Sequence, residues 1–121
     1  MTNKYIEYAE NFKHLKIPLI ELKRNVPYEY FMRCNDKIIV FKEDLENLLT
    51  KYKNKVISKS DLLDWVNTVW FSELFTYDEK YCDMIASIMN ELEEADEREE
   101  VLNDYNINKY LRSLKNNSEL D

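Results

Sequence analysis

Residues 58–70 read SKSDLLDWVNTVW, and this stretch carries the clearest structural signal in the chain. Ser58 and Asp61 form a capping-box pattern, in which the hydroxyl and the carboxylate each accept a hydrogen bond from the other residue's backbone N–H. The apolar side chains that follow recur at helical spacing: Leu62, Trp65, Val66, Val69 and Trp70. The pattern predicts a helix over about residues 59–73 that turns this face toward the core.

Four more segments repeat apolar residues at helical spacing: about residues 3–14, 42–54, 78–95 and 105–115. Thr2 is the predicted N-cap of the first of them, and either Thr76 or Asp78 is the predicted N-cap of the third. The tail, residues 116–121, is expected to fray because it carries no apolar stripe.

The segment between residues 19 and 41 is less well defined. Pro18 ends the first helix, because the residue before a proline is pushed out of the helical region. A second helix could begin at Leu19, and Pro27 could start a third over about residues 28–34. Residues 38–41 are either a short strand or a buried connector into the next helix.

Glycine is absent from the 121 residues and proline occurs twice. Phosphate-binding loops and dinucleotide fingerprints need glycine, so these site classes are excluded. Asparagines are expected at the left-handed positions that glycine would otherwise occupy. The prediction is a single all-α domain, residues 1–121, folded as a compact bundle of five to six helices.

Charge is partitioned along the chain. Residues 1–60 carry 12 basic and 8 acidic side chains, residues 61–104 carry 2 and 14, and residues 105–121 carry 3 and 2. The middle third therefore has a net charge of −12 in a protein of net charge −7. A field of one sign attracts a basic partner and raises its rate of association. We therefore expect a binding protein with an acidic surface.

The strongest acidic run is residues 91–100, ELEEADEREE, with seven carboxylates and one arginine. Three interpretations stay open: a solvated helix end, a docking surface for a basic protein, and a metal or catalytic dyad formed by carboxylates one turn apart. Lysines of the basic N-terminal half could also neutralise the run within the chain. The docking interpretation selects four candidate residues: Glu91, Glu93, Glu94 and Glu97.

The aromatic segment that follows Trp70 supplies a second set of candidates. Trp65 and Val69 are expected in the core, whereas Phe71 points away from the apolar stripe. Phe75 and Tyr77 lie in the predicted bridge to the next helix. Aromatic anchors ringed by carboxylates are typical of a hot spot for a basic partner, although they could instead close the end of the core. This surface contributes the following candidates: Phe71, Glu73, Phe75, Tyr77, Asp78 and Glu79.

The chain offers little for catalysis, so we do not expect an enzyme, a cofactor or a metal site. His14 is the single histidine and has no cysteine at a suggestive spacing, and Cys34 and Cys82 are expected to be free thiols. The N-terminus lacks the apolar core of a signal peptide, and no apolar run is long enough to span a membrane. Acidity argues against nucleic acid or an anionic lipid surface as a direct ligand.

Residues 58–94 resemble a family. The start SDLLDWV at residues 60–66, the acidic aromatic bridge to residues 77–79, and the helix end IMNELEE at residues 88–94 are similar to small helical immunity proteins of bacterial contact-dependent growth inhibition and related polymorphic toxin systems. The resemblance implies a cytoplasmic protein that binds a cognate basic toxin domain, often a nuclease, as a one-to-one heterodimer and blocks its active site. The alternative is a non-enzymatic helical adaptor that works through an apolar groove.

Overall fold

The computed structural model describes residues 4–32 and 37–117, and helices make up 75% of them. The α-helices are α1 (Lys4–Lys13), α2 (Leu19–Asn25), α3 (Tyr28–Met32), α4 (Lys42–Lys53), α5 (Lys59–Phe71), α6 (Cys82–Glu93) and α7 (Asp104–Asn116). Short 3₁₀ helices cover Glu79–Tyr81, Glu94–Asp96 and Glu99–Leu102. The predicted fold class is confirmed, with seven α-helices in the described part of the chain rather than five to six. The predictions on Thr2, Cys34 and residues 118–121 lie outside the described residues.

Local hydrogen bonds explain where the helices begin. The predicted capping box of α5 is present: the Asp61 N–H donates to Ser58 Oγ at 3.1 Å and the Ser58 N–H to Asp61 Oδ2 at 3.0 Å. α7 begins after Asn103, whose Oδ1 accepts from the Asn106 N–H at 2.8 Å. Each cap satisfies backbone donors that the first helical turn leaves without a partner.

Three non-glycine residues take a positive φ among those described: Leu15 (63°), Lys55 (62°) and Asn117 (53°). Asn117 caps α7 as expected of an asparagine. The expectation that asparagines fill such positions is wrong at Leu15 and Lys55. At both sites a helix has just ended, and the following backbone folds back to donate to carbonyls of its last turn.

Two three-residue strands pair in parallel. β1 (Ile38–Val40) lies against β2 (Phe75–Tyr77) in the register Ile38 to Phe75 and Val40 to Tyr77. α4 and α5 form the crossover between the strands, as a parallel connection requires. Of the two interpretations left open for residues 38–41, the strand is the correct one. The predicted bridge after α5 is therefore partly a strand, and Thr76 lies in it rather than capping a helix.

The core is built where the predicted stripes meet. Trp65, Val66 and Val69 of α5 are buried together with Ile85, Ile88 and Met89 of α6, as helical spacing indicated. The buried Trp65 indole N–H donates to the carbonyl of Lys13 at 3.0 Å, which joins α5 to the end of α1. Trp70 packs against this core but is only half-buried, so its assignment to the core face was too strong.

A buried ion pair fastens α1 to the strand region. Lys13 Nζ lies 3.5 Å from Asp44 Oδ2 and 3.2 Å from Glu10 Oε2, and it donates to the Ile39 carbonyl at 3.0 Å. Asp44 also accepts the Phe41 N–H at 2.8 Å, which begins α4. Lys13 and Asp44 are 4% and 6% exposed, so both charges depend on these partners.

No helix among the described residues is both long enough and apolar enough to cross a bilayer.

Candidate protein-docking surface

The structure divides the ten candidate residues among three places. Phe71 and Glu73 lie at the C-terminal end of α5 and just after it. Phe75, Tyr77, Asp78 and Glu79 belong to β2 and the turn that follows. The remaining four lie in the last turn of α6 and just beyond it: Glu91, Glu93, Glu94 and Glu97. The candidates therefore belong to three different segments of the fold.

Phe71 is the aromatic candidate whose exposure fits a docking anchor. Its side chain is 63% exposed at the last residue of α5. It borders a groove of about 600 Å³ between α2, α3 and α5. The groove has mainly apolar walls, among them Leu19, Val26, Tyr28, Phe31, Met32 and Phe71. Tyr28 and Met32 are also exposed, so a large apolar area is accessible to solvent beside this groove.

Phe75 is not an exposed anchor, and that prediction is wrong. Its side chain is 7% exposed, because Phe75 begins β2 and side chains of a strand alternate between faces. Tyr77, two residues on, is half-buried and packs against the core. Burial, and secondarily the neighbouring Cys82 thiol, raise the pKa of Tyr77 to about 12. Both residues close the core, as the alternative interpretation held.

Asp78 and Glu79 follow β2. The Asp78 N–H donates to the Val40 carbonyl at 3.0 Å, and its carboxylate accepts from the Lys80 N–H at 3.4 Å. Asp78 therefore caps the 3₁₀ helix that leads into α6, which selects it over Thr76 as the cap. Glu79 is exposed at the first position of that 3₁₀ helix.

The acidic run is only partly neutralised. Arg98 lies between two carboxylates: its Nη1 is 2.7 Å from Glu94 Oε2 and its Nε 3.1 Å from Glu100 Oε1. Hydrogen bonds to Glu100 and Glu94 raise the pKa of Arg98, while the backbone N–H of Glu100 and the Arg98 side chain lower the pKa of Glu100. Glu93, Asp96 and Glu97 form no ion pair with any described residue. Asp96 and Glu97 are exposed, and Glu93 is half-buried.

Glu91 lies close to the phenol of Tyr110. Burial first, and the Glu91 carboxylate second, raise the pKa of Tyr110 to about 12. Tyr110 is 2% exposed and donates to the Val101 carbonyl at 3.3 Å. Glu91 is half-buried, as Glu93 is, whereas Glu97 is exposed.

Lysines of the N-terminal half do not neutralise the acidic third. Two ion pairs connect the two regions among the described residues: Lys37 with Glu73 at 3.8 Å and Lys59 with Glu99 at 3.9 Å. Lys37 Nζ also donates to the Glu73 carbonyl. Counting the two carboxylates held by Arg98, four of the fourteen acidic side chains of residues 61–104 are paired. Ten are not paired with any described residue.

The exposed side of α5 joins the apolar groove to this acidic region. Ser60, Asp64, Asn67 and Phe71 follow one another at spacings of four, three and four residues, so they share one face of the helix. Asn67 borders the apolar groove and also a second concavity that Asp64 and Asp96 line. We refer to this surface, from Ser60 to Phe71 together with Asp96, as the α5 face.

Sequence reasoning selected Phe71 on the α5 face but missed Asp64 and Asp96 as members of the same surface. The spacing of Asp64 and Phe71, two helical turns apart, was available as a signal. The position of Asp96 beside α5 was not, because it depends on how α6 packs against α5.

No metal-binding arrangement is found in the described part of the chain. No group of three histidine, cysteine or acidic side chains could hold a metal ion there. His14 is 45% exposed, with its ring nitrogens 3.5 Å from Glu10 Oε2 and from Asp44 Oδ1. It follows the last residue of α1.

No family model, curated protein or solved structure matches this chain. The resemblance to immunity proteins therefore stays a prediction.

Proposed function

We propose that this chain is an immunity protein that binds a cognate basic toxin domain and neutralises it by covering the active site of the toxin. The observation that supports this most is the acidic third of the chain, in which ten of fourteen carboxylates have no ion-pair partner among the described residues. Packing does not require so much unpaired charge of one sign, whereas a field of this sign attracts a basic protein and raises its rate of association.

The chemistry suits a nuclease as the toxin. A nuclease holds the phosphates of its substrate with lysine and arginine side chains. The carboxylates of Glu93, Asp96 and Glu97 can form charge-assisted hydrogen bonds with the same lysine and arginine side chains of the toxin. Phe71 adds apolar contact area, which charge alone does not supply. Inhibition by occlusion needs no catalytic residue in this chain, so the protein acts as a non-enzymatic partner in a one-to-one heterodimer.

The cytoplasm is the proposed compartment. A toxin of this class must be neutralised where its nucleic-acid substrate lies. Cys82 is an exposed free thiol, and exposed thiols persist most readily in a reducing compartment.

Growth of cells that produce the toxin tests the proposal. The tagged chain is used to capture its partner from the source cell, and the gene of the captured protein is then expressed with and without this chain. We expect the partner to be basic, to stop growth when expressed alone, and to be harmless when the chain is present. A captured partner that is harmless when expressed alone would overturn the proposal.

A pair of charge reversals assigns the effect to the acidic surface. Glu93→Lys with Glu97→Lys removes two unpaired carboxylates and is expected to abolish protection. Lys115→Glu reverses an exposed charge on α7 and is expected to leave protection intact. Loss of protection in both variants, at equal amounts of folded protein, would contradict a role specific to the acidic surface.

The second candidate is a helical adaptor, and the apolar groove beside Phe71 is the observation that favours it. An adaptor would bind a partner of any charge through the groove. Its binding would depend on Phe71 and would be insensitive to the reversals at Glu93 and Glu97. The same two sets of variants therefore separate the two functions.

A further inference from the structure

We propose that the α5 face receives an amphipathic helix of the partner, with a large apolar side chain in the groove beside Phe71 and a lysine or arginine about two turns away, between Asp64 and Asp96. This inference rests on the proposed function and specifies which element of the basic partner the chain recognises.

The groove supplies the apolar half of the site. Val26 and Phe31, 2% and 9% exposed, are its most buried lining residues, and the exposed side chains of Tyr28, Met32 and Phe71 border it. Apolar side chains of this size at the edge of a concavity fit an apolar anchor of a partner. Lys23 is the basic residue among those that line the groove, and it forms no ion pair with a described residue. Its positive charge repels another cation, so the partner is expected to carry its lysine or arginine at the other end of the α5 face.

The carboxylates supply the charged half. Asp64 and Asp96 border the concavity next to the groove and form no ion pair with a described residue. Lys59 also borders it, but the Glu99 carboxylate lies 3.9 Å from its Nζ and offsets its charge. The α5 face is therefore apolar at one end and negatively charged at the other.

The spacing of the two halves selects a helix as the occupant. Asp64 and Phe71 are seven residues apart on α5, which corresponds to about 10 Å along the helix axis. A partner helix lying along α5 has the same rise, so positions i and i+7 of that helix meet the two halves and share one face. In a strand about 10 Å corresponds to three residues, and side chains three apart point to opposite faces. The helix-in-groove mode is therefore the one that fits.

Synthetic peptides test this arrangement without knowledge of the partner. The probe is a fluorescein-labelled, alanine-based helical peptide of about 18 residues with one phenylalanine at i and lysines at i+7 and i+8. Its isomer has the same composition with the lysines at i+5 and i+9, on the opposite face. A third peptide has the phenylalanine replaced by alanine, and a fourth has both lysines replaced by glutamine. Fluorescence anisotropy with the full chain gives the dissociation constants, and we expect the probe to bind at least tenfold more tightly than any of the other three peptides.

Methionine methyl NMR signals locate the bound peptide. Met32 lines the groove, whereas Met84 and Met89 are buried in the core. In the protein labelled at its methionine methyl groups, the probe should shift the Met32 signal and leave the signals of Met84 and Met89 in place. A peptide that shifts the core signals and spares Met32 would bind elsewhere and overturn the inference.

Matched variants assign the two halves. Phe71→Ala should weaken the probe about 30-fold, which is the fold-change for an interface aromatic worth about 2 kcal/mol. Reversal of both Asp64 and Asp96 to lysine should weaken it tenfold or more and remove its salt dependence. The controls are Tyr105→Ala, an aromatic that is 70% exposed on α7, and Asp83→Lys, an exposed carboxylate on α6; both should bind as the native chain does.

Three results would overturn the inference: equal binding of the probe and its isomer, equal binding of a peptide that lacks lysine, and no binding at millimolar concentration. The second result would make the groove a site for an apolar ligand without a charged element. If the peptides do not bind while a basic toxin is still captured and neutralised, the proposed function is supported and the recognition of a helix is refuted. If the peptides bind while no toxin is captured, the helix-binding site is supported and the proposed function is refuted.

Discussion

Phe71 and Phe75 provide a matched test of the division between surface and core. They are four residues apart and differ mainly in exposure, 63% against 7%. With about 200 Å² for a phenylalanine, Phe75 buries about 185 Å² and Phe71 about 75 Å², or about 4.5 and 2 kcal/mol at about 25 cal/mol per Å². Alanine retains part of the burial at Phe71 and has a better helix propensity by about 0.5 kcal/mol. We therefore expect Phe75→Ala to cost about 4 kcal/mol of the free energy of unfolding and Phe71→Ala about 1 kcal/mol.

Urea unfolding followed by circular dichroism at 222 nm measures both costs. A difference of about 3 kcal/mol between the variants corresponds to midpoints about 1 to 3 M apart for a domain of this size. The slope of the transition should stay the same, so that the midpoint reports stability alone. A loss of 3 kcal/mol or more in Phe71→Ala would place Phe71 in the core and close the groove. A loss below 1 kcal/mol in Phe75→Ala would restore Phe75 as a surface residue.

Three further predictions concern the strained turn, the buried ion pair and the buried phenol. Lys55→Gly should stabilise the protein by about 0.5–1 kcal/mol, because glycine adopts the φ of 62° at this exposed position without the cost that a side chain adds; a lower unfolding midpoint would contradict this. Lys13→Met should lower the free energy of unfolding by about 3 kcal/mol, because the buried Asp44 carboxylate loses its cation. Adding Asp44→Asn should recover about half of this loss, since the amide oxygen still accepts the Phe41 N–H. A double variant no more stable than Lys13→Met would refute the pairing. Burial raises the pKa of Tyr110 to about 12, against 10.0 in the unfolded chain, so its contribution is fully present below pH 10 and is lost as the pH rises toward 12. The loss of stability between pH 10 and 12 should therefore be smaller in Tyr110→Phe than in the native chain, and an equal loss would refute the assignment.

The helices that could be predicted are those whose own residues specify them. α5 begins with hydrogen bonds between Ser58 and Asp61, which are only three residues apart in sequence. The apolar stripe from Met84 to Leu92 predicts α6 without information from any other element. The 3₁₀ turns that divide the segment from residue 78 to 96 could not be predicted, because apolar spacing does not distinguish them from a continuing α-helix.

The parallel strand pair could not be predicted because its two halves are far apart in sequence. Ile38 and Phe75 become neighbours only after α4 and α5 have packed, and neither three-residue strand has a turn signal that identifies its partner. Phe75 was misassigned for this reason: without the strand it belongs to a loop beside Phe71, and with the strand its side chain turns into the core.

The docking surface was predicted in part. The charge of residues 61–104 and the outward position of Phe71 were visible in the sequence. The groove was not, since its walls come from α2 and α3, whose apolar residues show no clear period. Asp96 could not be placed beside Asp64 either, because that neighbourhood depends on the packing of α6 against α5.

The rate at which the purified chain associates with its captured partner tests the central claim most directly. Stopped-flow measurements at about 0.05 and 0.5 M salt should show association slowing by about an order of magnitude or more, because salt screens the unpaired carboxylates. Glu93→Lys with Glu97→Lys should lower the rate at low salt and weaken its salt dependence, and Lys115→Glu should do neither. A rate that is unchanged by salt and equal in the three proteins would contradict recognition of a basic partner by the acidic surface.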